Sequence, residues 1–588
     1  MILTTIDWLV ILAYFVFSLI IALAFSRRAG RSLEEYFLSD RRVPWWLAGT
    51  SMVATTFAAD TPLAVTGLTV RHGIAGNWLW WSFVMSGILT AFFYARLWRR
   101  AGVMTDVEFA ELRYSGRPAA FLRGFRALYL AVPINCIIIG WVTHAMATIL
   151  GMTLGVAKWE ATIACFVITA IYSSFSGLWG VLVTDFFQFA LAMTGSIVLA
   201  VVAVQAVGGL PTLVSRLQTQ FPDGSPLSFF PGLDSPWMPI LTFLVYVSVN
   251  WWASWYPGAE PGGGGYVAQR IFSAKDERHS VLAALWFNLA HYALRPWPWI
   301  LVALVSMLLY PGLPNPEEGY VKVMVEHLPP AWRGFLLAAF LAAYMSTIST
   351  HLNWGSSYLI NDLYRRFMVR SGTPRHYVWA GRYATIGLMV VAGIITYYLK
   401  SVEGAWKFLL AIGAGTGPVL LLRWYWWRIN AWSEVSAMAG AALISLGLQW
   451  YGLSSDDPLG FAYLMLLTVA GATLVWVLAT YLTPPEPDGQ LLRFYERVRP
   501  SVAGWGVLLR GHPEVKPSKS PKGMLVVWVL GCLVVYLGLF GIGKILLGAP
   551  ELGWLLLAIA VLLTAWILWG FGAAADVPAG EDSRGSRS

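Results

Sequence analysis

Apolar residues run through this chain in stretches of about 20, separated by short polar or Gly- and Pro-rich connections, from residue 6 almost to the C-terminus. A bilayer core about 30 Å thick needs helices of that length, so the pattern predicts membrane-crossing α-helices. Fifteen candidate spans lie near 6–25, 45–70, 76–98, 120–150, 158–175, 178–207, 238–275, 280–310, 334–362, 377–399, 403–427, 432–452, 459–482, 523–547 and 552–572. Basic residues concentrate in alternate connections, Arg27 to Arg42, Arg99 to Arg117, Lys275 to Arg278, Arg365 to Arg375 and Arg423 to Arg428. The positive-inside rule makes these cytoplasmic, which puts the N-terminus outside and the C-terminus inside, as an odd number of spans requires. The stretch 484–522 carries Leu491, Leu492, Phe494 and Tyr495 among Arg493, Arg497 and Arg499, a mixture that predicts a short helix lying in the membrane interface. The last residues, 573–588, are rich in Gly, Ala, Ser and charge and are expected to be a disordered cytoplasmic tail.

Composition sharpens this picture. Of 588 residues, 57% are hydrophobic and 12% charged, about half the charged share of roughly 25% in soluble domains, which excludes a soluble multi-domain protein and points to the plasma (inner) membrane. The net charge of +9 sits in short loops beside spans, where it is a topology signal and implies no nucleic-acid partner. The first apolar run carries Asp7, has no Lys or Arg before it and is followed by Arg27, Arg28 and Arg31, the reverse of a cleaved signal. Cys136, Cys165 and Cys532 lie in apolar spans without pairing or metal-ligand spacing.

Two spans carry helix breakers together with charge. The second holds Ala54-Thr55-Thr56-Phe57-Ala58-Ala59-Asp60-Thr61-Pro62, and the seventh holds Tyr256-Pro257-Gly258-Ala259-Glu260-Pro261 followed by four glycines and Tyr266. No continuous helix accommodates the second of these. Unwound backbone at membrane depth is tolerated where it is buried in protein or lines an aqueous cavity. Breaks five spans apart match a five-plus-five inverted repeat, with solute and ion sites at the paired discontinuities. The other reading, a cytoplasmic loop between two short segments, stays open for 256–265 because Arg270 and Lys275 follow.

Several segments resemble the sodium:solute symporter family, that of the sodium/proline and sodium/galactose symporters. They are Tyr36-Phe37-Leu38 with Val43-Pro44-Trp45-Trp46, Ser176-Gly177-Leu178-Trp179-Gly180-Val181 with Thr184-Asp185 and Gln188, Tyr266-Val267-Ala268-Gln269-Arg270, and Ala342-Ala343-Tyr344-Met345-Ser346-Thr347 continuing to Asn361-Asp362-Leu363-Tyr364. The resemblance implies an all-α, LeuT-type transporter core over 44–430, behind a peripheral first helix in 1–43, with further helices in 431–483 and 523–572. It also implies a sodium ion held by backbone carbonyls and hydroxyls at Ala54, Phe57, Ala343, Ser346 and Thr347, with Asp185 on the sodium path. Oxygen ligands without a buried countercharge suit a hard cation. Alternatives remain for each: Ser346 and Thr347 could back-bond or pack helices, and Asp185 could tie helix ends in a salt bridge.

By the same resemblance the solute lies between the broken helices, gated on the inside by Tyr266. The sequence departs from sugar-transporting members at Asp60 and in the Gly- and Pro-rich run carrying Glu260. Asp60, Thr61, Trp255, Glu260, Tyr266 and Arg295 form the candidate solute or gate set. The two acids and Arg295 could face the ammonium and carboxylate of a small zwitterion such as an amino acid, or Arg295 could pair with an acid as a structural bridge. Trp251, Trp252 and Trp255 are the tryptophans expected to touch solute, the other Trp residues forming interface belts. Gly413, Gly415, Gly417 and Pro418 mark a hinge or a close helix contact. Sodium-coupled symport of a small organic solute is the expected function, with sodium as coupling ion and no other cofactor. Proton coupling through Asp60 or Asp185 is its nearest rival. A membrane-embedded enzyme would need a convergent catalytic cluster, and neither HExxH nor a nucleophile elbow occurs. A transporter-like sensor is the third reading.

Overall fold

The computed structural model describes residues 3–26, 41–103, 106–172, 178–222, 225–235, 238–254, 256, 260–518 and 523–575. Its principal helices are α1 (Thr5–Ser26), α2 (Trp45–Thr55), α3 (Asp60–His72), α4 (Ile74–Ala101), α5 (Gly116–Leu154), α6 (Lys158–Tyr172), α7 (Leu178–Ala206), α8 (Ile240–Ser248), α9 (Gly265–Ser273), α10 (Glu277–Leu309), α11 (Trp332–Met368), α12 (Pro374–Tyr398), α13 (Val402–Gly413), α14 (Gly417–Tyr425), α15 (Ala431–Trp450), α16 (Pro458–Leu482), α17 (Asp488–Val498), α18 (Met524–Leu546) and α19 (Pro550–Ala575). No strand occurs among the described residues.

Helices stand at all fifteen predicted positions, yet the count of fifteen spans is not reached by length and apolarity. Among the described residues ten helices are long and apolar enough to cross a membrane, eleven if α13 and α14, bent by 47° at their break, form one span. The rest are α1, α6 and the two broken pairs, whose individual segments are too short by themselves. The second span breaks at 56–59, after Thr55 and before Asp60. Pro62, expected to disrupt it, instead sits in the first turn of α3, where its missing N–H costs no helical bond. The seventh span stops after a 3₁₀ turn at Asn250–Trp252 and resumes at Gly265.

The broken pairs are tied together at one end by extended backbone. Val43 N–H donates to the Ser273 carbonyl at 3.0 Å and Lys275 N–H to the Val43 carbonyl at 3.0 Å, so the chain entering α2 and the chain leaving α9 form one short bridge. Around the two pairs, α10 packs on α2, α7 on α2 and α11, and α5 on α11 and α12. Asp7 explains its own place in an apolar run: its carboxylate accepts from the free Ala331 and Gly334 N–H groups at the start of α11, at 2.9 and 2.8 Å, which pins α1 to the core. The final pair is not detached either. Trp528 and Tyr536 on α18 donate to the Met85 and Trp81 carbonyls of α4 at 2.9 and 3.0 Å.

The predicted interfacial helix forms as α17, but its apolar face is covered by protein. Leu491, Phe494, Tyr495 and Val498 are buried in a cluster with Trp98, Phe109 and Trp424, since these rings offer α17 more contact than a lipid surface. The helix α19 runs to Ala575, and the tail beyond it lies outside the described residues.

Candidate functional site

The site grows out of the two breaks. Where α2 ends, the Ala54 carbonyl accepts from Phe57 N–H at 2.9 Å, and the Thr61 hydroxyl donates to the Thr56 carbonyl at 3.2 Å, so local groups meet part of the demand left by unwinding. In the other break, Gly262, Gly263 and Gly265 have φ of +83°, +85° and +51°, a left-handed path that glycine takes without a Cβ clash. Side chains from elsewhere serve its backbone: Trp98 Nε1 donates to the Gly262 carbonyl at 2.7 Å, and Asp106 accepts from Gly265 N–H at 3.2 Å.

On one side of the first break the helix α11 brings hydroxyls to the end of α2. Thr347 Oγ1 donates to the Thr55 carbonyl at 3.5 Å, and Ser346 Oγ donates to Asp185 Oδ1 at 3.1 Å. The other oxygen of Asp185 accepts from Ser51 Oγ at 2.6 Å and lies 3.8 Å from Arg270 Nη2. Arg270 also donates to Ser51 Oγ at 3.3 Å and Thr55 Oγ1 at 3.4 Å. Ala54, Phe57, Ala343, Ser346, Thr347 and Asp185 are all buried. Asp185 therefore accepts from Ser346 and lies beside Arg270, an ion-pair relation of the kind expected as its alternative role.

On the other side lies a cavity lined by Asp60, Thr61, Glu260, Tyr266 and Arg295, five of the six residues expected there; the sixth, Trp255, lies outside the described residues. Its aromatic walls are Trp80, Phe83, Trp141, Tyr256, Phe287, Tyr292 and Trp406. The expected Trp251 and Trp252 are not among them. Trp251 packs on Trp528 with ring centroids 5.9 Å apart, and Trp252 lies under Gly417, because the chain at 250–252 turns away against α14 and α18.

The three charges do not form one cluster. Glu260 pairs with Arg126 of α5, Oε2 to Nη2 at 3.5 Å, and its carboxylate fills the space a side chain at Gly264 would need. Arg126 is further shared with Glu434 at 3.0 Å and Asp106 at 4.0 Å. Arg295 makes no ion pair to Asp60 or Glu260 within 4.0 Å among the described residues; it donates to the Val53 carbonyl at 3.2 Å and Thr56 Oγ1 at 3.1 Å, its guanidinium lying over the Phe57 and Trp299 rings. The structural bridge expected for it is thus made to the broken backbone rather than to an acid. Asp60 Oδ1 is buried without a hydrogen-bond partner. Sequence reasoning missed Ser51, Arg126 and Asn288, and left Tyr256 and His291, which also line the cavity, out of the solute set; of the missed residues Arg126 had a readable signal, a charge inside an apolar stretch.

Comparison with known proteins adds a lineage to this geometry. The family model described as sodium:solute symporter family matches residues 36–443. The sodium/glucose cotransporter of Vibrio parahaemolyticus is 23% identical over 484 residues, covering 78% of this chain and 87% of the relative. Sodium/glucose cotransporter 1 of Oryctolagus cuniculus is 24% identical over 565 residues, covering 84% and 81%. The solved structure of a Na+-coupled sialic acid symporter, substrate-bound and outward-open, superposes with a TM-score of 0.64 at 18% identity over 82% of this chain and 99% of that one, a likeness of fold.

Proposed function

The chain belongs to the sodium:solute symporter family, and from that premise we propose that it carries a small polar organic solute across the membrane with sodium, by alternating access. The family is one of transporters, and the covalent chemistry of an enzyme has no part in the reading. The observation that carries it is the approach of Ser346 and Thr347 to the frayed end of α2, where Thr347 reaches the Thr55 carbonyl. Hydroxyls at Ser346 and Thr347 with the carbonyls of Ala54, Phe57 and Ala343 make an all-oxygen set that suits sodium, and Asp185, bonded to Ser346, offers the ion a carboxylate on its way out.

In this cycle sodium draws α2 and α11 together and favours the solute-binding arrangement of the break; by linkage the solute raises sodium affinity equally. One sodium moving down the membrane potential supplies about 2.3 kcal/mol per 100 mV. For the solute we favour a small zwitterion or carboxylate. Asp60, with an unpartnered oxygen on the cavity, would meet an ammonium, and Arg295, whose Nε has no partner, would meet a carboxylate. The relatives named for glucose favour a second reading, a sugar whose hydroxyls donate to Asp60 and stack on Trp80 or Trp141.

The test is uptake of labelled amino acids, carboxylates, vitamins and sugars into proteoliposomes, with sodium or proton gradients imposed separately. Sodium-stimulated accumulation is expected, falling at least tenfold in S346A/T347A, the loss of about 1.4 kcal/mol or more of ion binding. Uptake that follows a proton gradient and ignores sodium would overturn the coupling assignment.

A further inference from the structure

The reading of Tyr266 as inner gate leaves open what holds it shut. Its neighbour Tyr256 lines both the solute cavity and a smaller chamber beyond it, which Arg126, Ser254 and Thr416 also line. The two tyrosine rings meet edge to face with centroids 5.8 Å apart. Tyr256 OH is in turn 3.3 Å from Nε2 of His351. His351 is buried on α11, one turn beyond Thr347.

The direction of this chain follows from donor chemistry. Asn135 Nδ2 donates to the His351 carbonyl at 2.9 Å, and a carbonyl can only accept, so the amide nitrogen faces it and Oδ1 faces the ring. Oδ1 lies 2.7 Å from His351 Nδ1 and also only accepts. Nδ1 therefore carries the proton, and Nε2 of the neutral ring is a bare acceptor. Tyr256 must donate to it, which fixes the ring that packs edge to face on Tyr266.

We propose that His351 and Tyr256 are positioning residues for the gate, a latch in which α11, through its bond to Tyr256, holds the ring against which Tyr266 packs. This rests on the transport reading above and extends it: the helix offering Ser346 and Thr347 to sodium is the helix whose His351 fixes the gate tyrosine. Sodium binding and gate closure are then one movement of α11 rather than two.

Gate closure can be read without knowing the solute, by labelling a cysteine at Thr416→Cys in the chamber with N-ethylmaleimide, in sodium or in choline. The native cysteines are buried, so the background is low. Sodium is expected to slow labelling in the parent by about fivefold, the weight of one ordinary hydrogen bond. Y256F and H351F are expected to erase the sodium effect, and H351Q, whose amide oxygen can accept from Tyr256, to restore it. Y256F and H351F proteins that sodium protects as well as the parent overturn the latch. Protection that survives Y266F as well shows that the gate assignment itself is wrong, and a parent indifferent to sodium sinks the coupling reading and the latch together.

Discussion

A guanidinium inside a membrane protein must find acceptors, and Arg295 finds them in broken backbone. Its bonds to the Val53 carbonyl and Thr56 Oγ1 close the end of α2, and its plane rests on Phe57 and Trp299. Lysine keeps the charge but has neither the fork nor the flat face. R295K is therefore expected to lower sodium-stimulated uptake by about tenfold or more, from loss of charged hydrogen bonds of roughly 1.5–3 kcal/mol, and to weaken sodium and solute activation together. Uptake kinetics at varied sodium would show it; a change in the solute constant alone would mean that Arg295 serves the solute and not the break. That an Arg here matters could be read from the sequence, since a charge within an apolar span is rarely idle. That its partner is a carbonyl and not Asp60 or Glu260 could not, because that depends on which turn of α10 faces the end of α2.

At the scale of elements, the glycines at the bend between α13 and α14 make the close contact that was one of the two roles foreseen for them. A Cβ at Gly417 would lie 1.8 Å from the Trp252 carbonyl oxygen, and one at Gly413 would lie 1.9 Å from that of Ser254. Both glycines therefore let the bent span press on the chain leading into the second break. G417A is expected to cost about 1–3 kcal/mol of stability, seen as a lower melting temperature in detergent. G447A, with nothing within 4 Å of the added carbon, should be neutral or slightly stabilising. Equal melting of the two variants would refute the contact.

A response to pH is expected in the stretch 484–522. His512 is half-buried, with Nδ1 3.0 Å from Glu514 and Nε2 3.6 Å from Asp488, and the hydrogen bond to Glu514, with help from Asp488, raises its pKa above the ordinary 6.5. A raised value means that the contact stabilises fully below pH 6.5 and is lost as pH climbs through the raised value. Protease cutting within this stretch is expected to quicken over that climb in the parent and to stay level in H512Q; a level parent would remove His512 from the account.

For the whole molecule, the family match ends at residue 443, but the fold continues to lean on the C-terminal helices beyond that point. Trp528 and Tyr536 bond to the backbone of α4, whose Trp80 and Phe83 line the cavity, and Trp297 Nε1 donates to the Leu539 carbonyl at 3.0 Å. A chain ended at residue 522 is expected to melt at lower temperature and to lose much of its uptake, both measurable beside the full chain. Unchanged uptake would make α18 and α19 accessory.

The sequence alone determined the positions of the helices, the two interruptions and the family, because each is written locally: hydropathy sets a span, glycine and proline stop it, and short motifs mark descent. It also singled out five of the polar residues that line the cavity, Asp60, Thr61, Glu260, Tyr266 and Arg295, since polar groups within apolar spans stand out by composition. Tertiary structure decided who meets whom. Glu260 falls to Arg126, α17 lies on protein rather than lipid, and Trp80, Trp141 and Trp406 face the cavity in place of Trp251 and Trp252. Those pairings join residues far apart in the chain, and only the packing of helices against one another selects among the many partners that local chemistry allows.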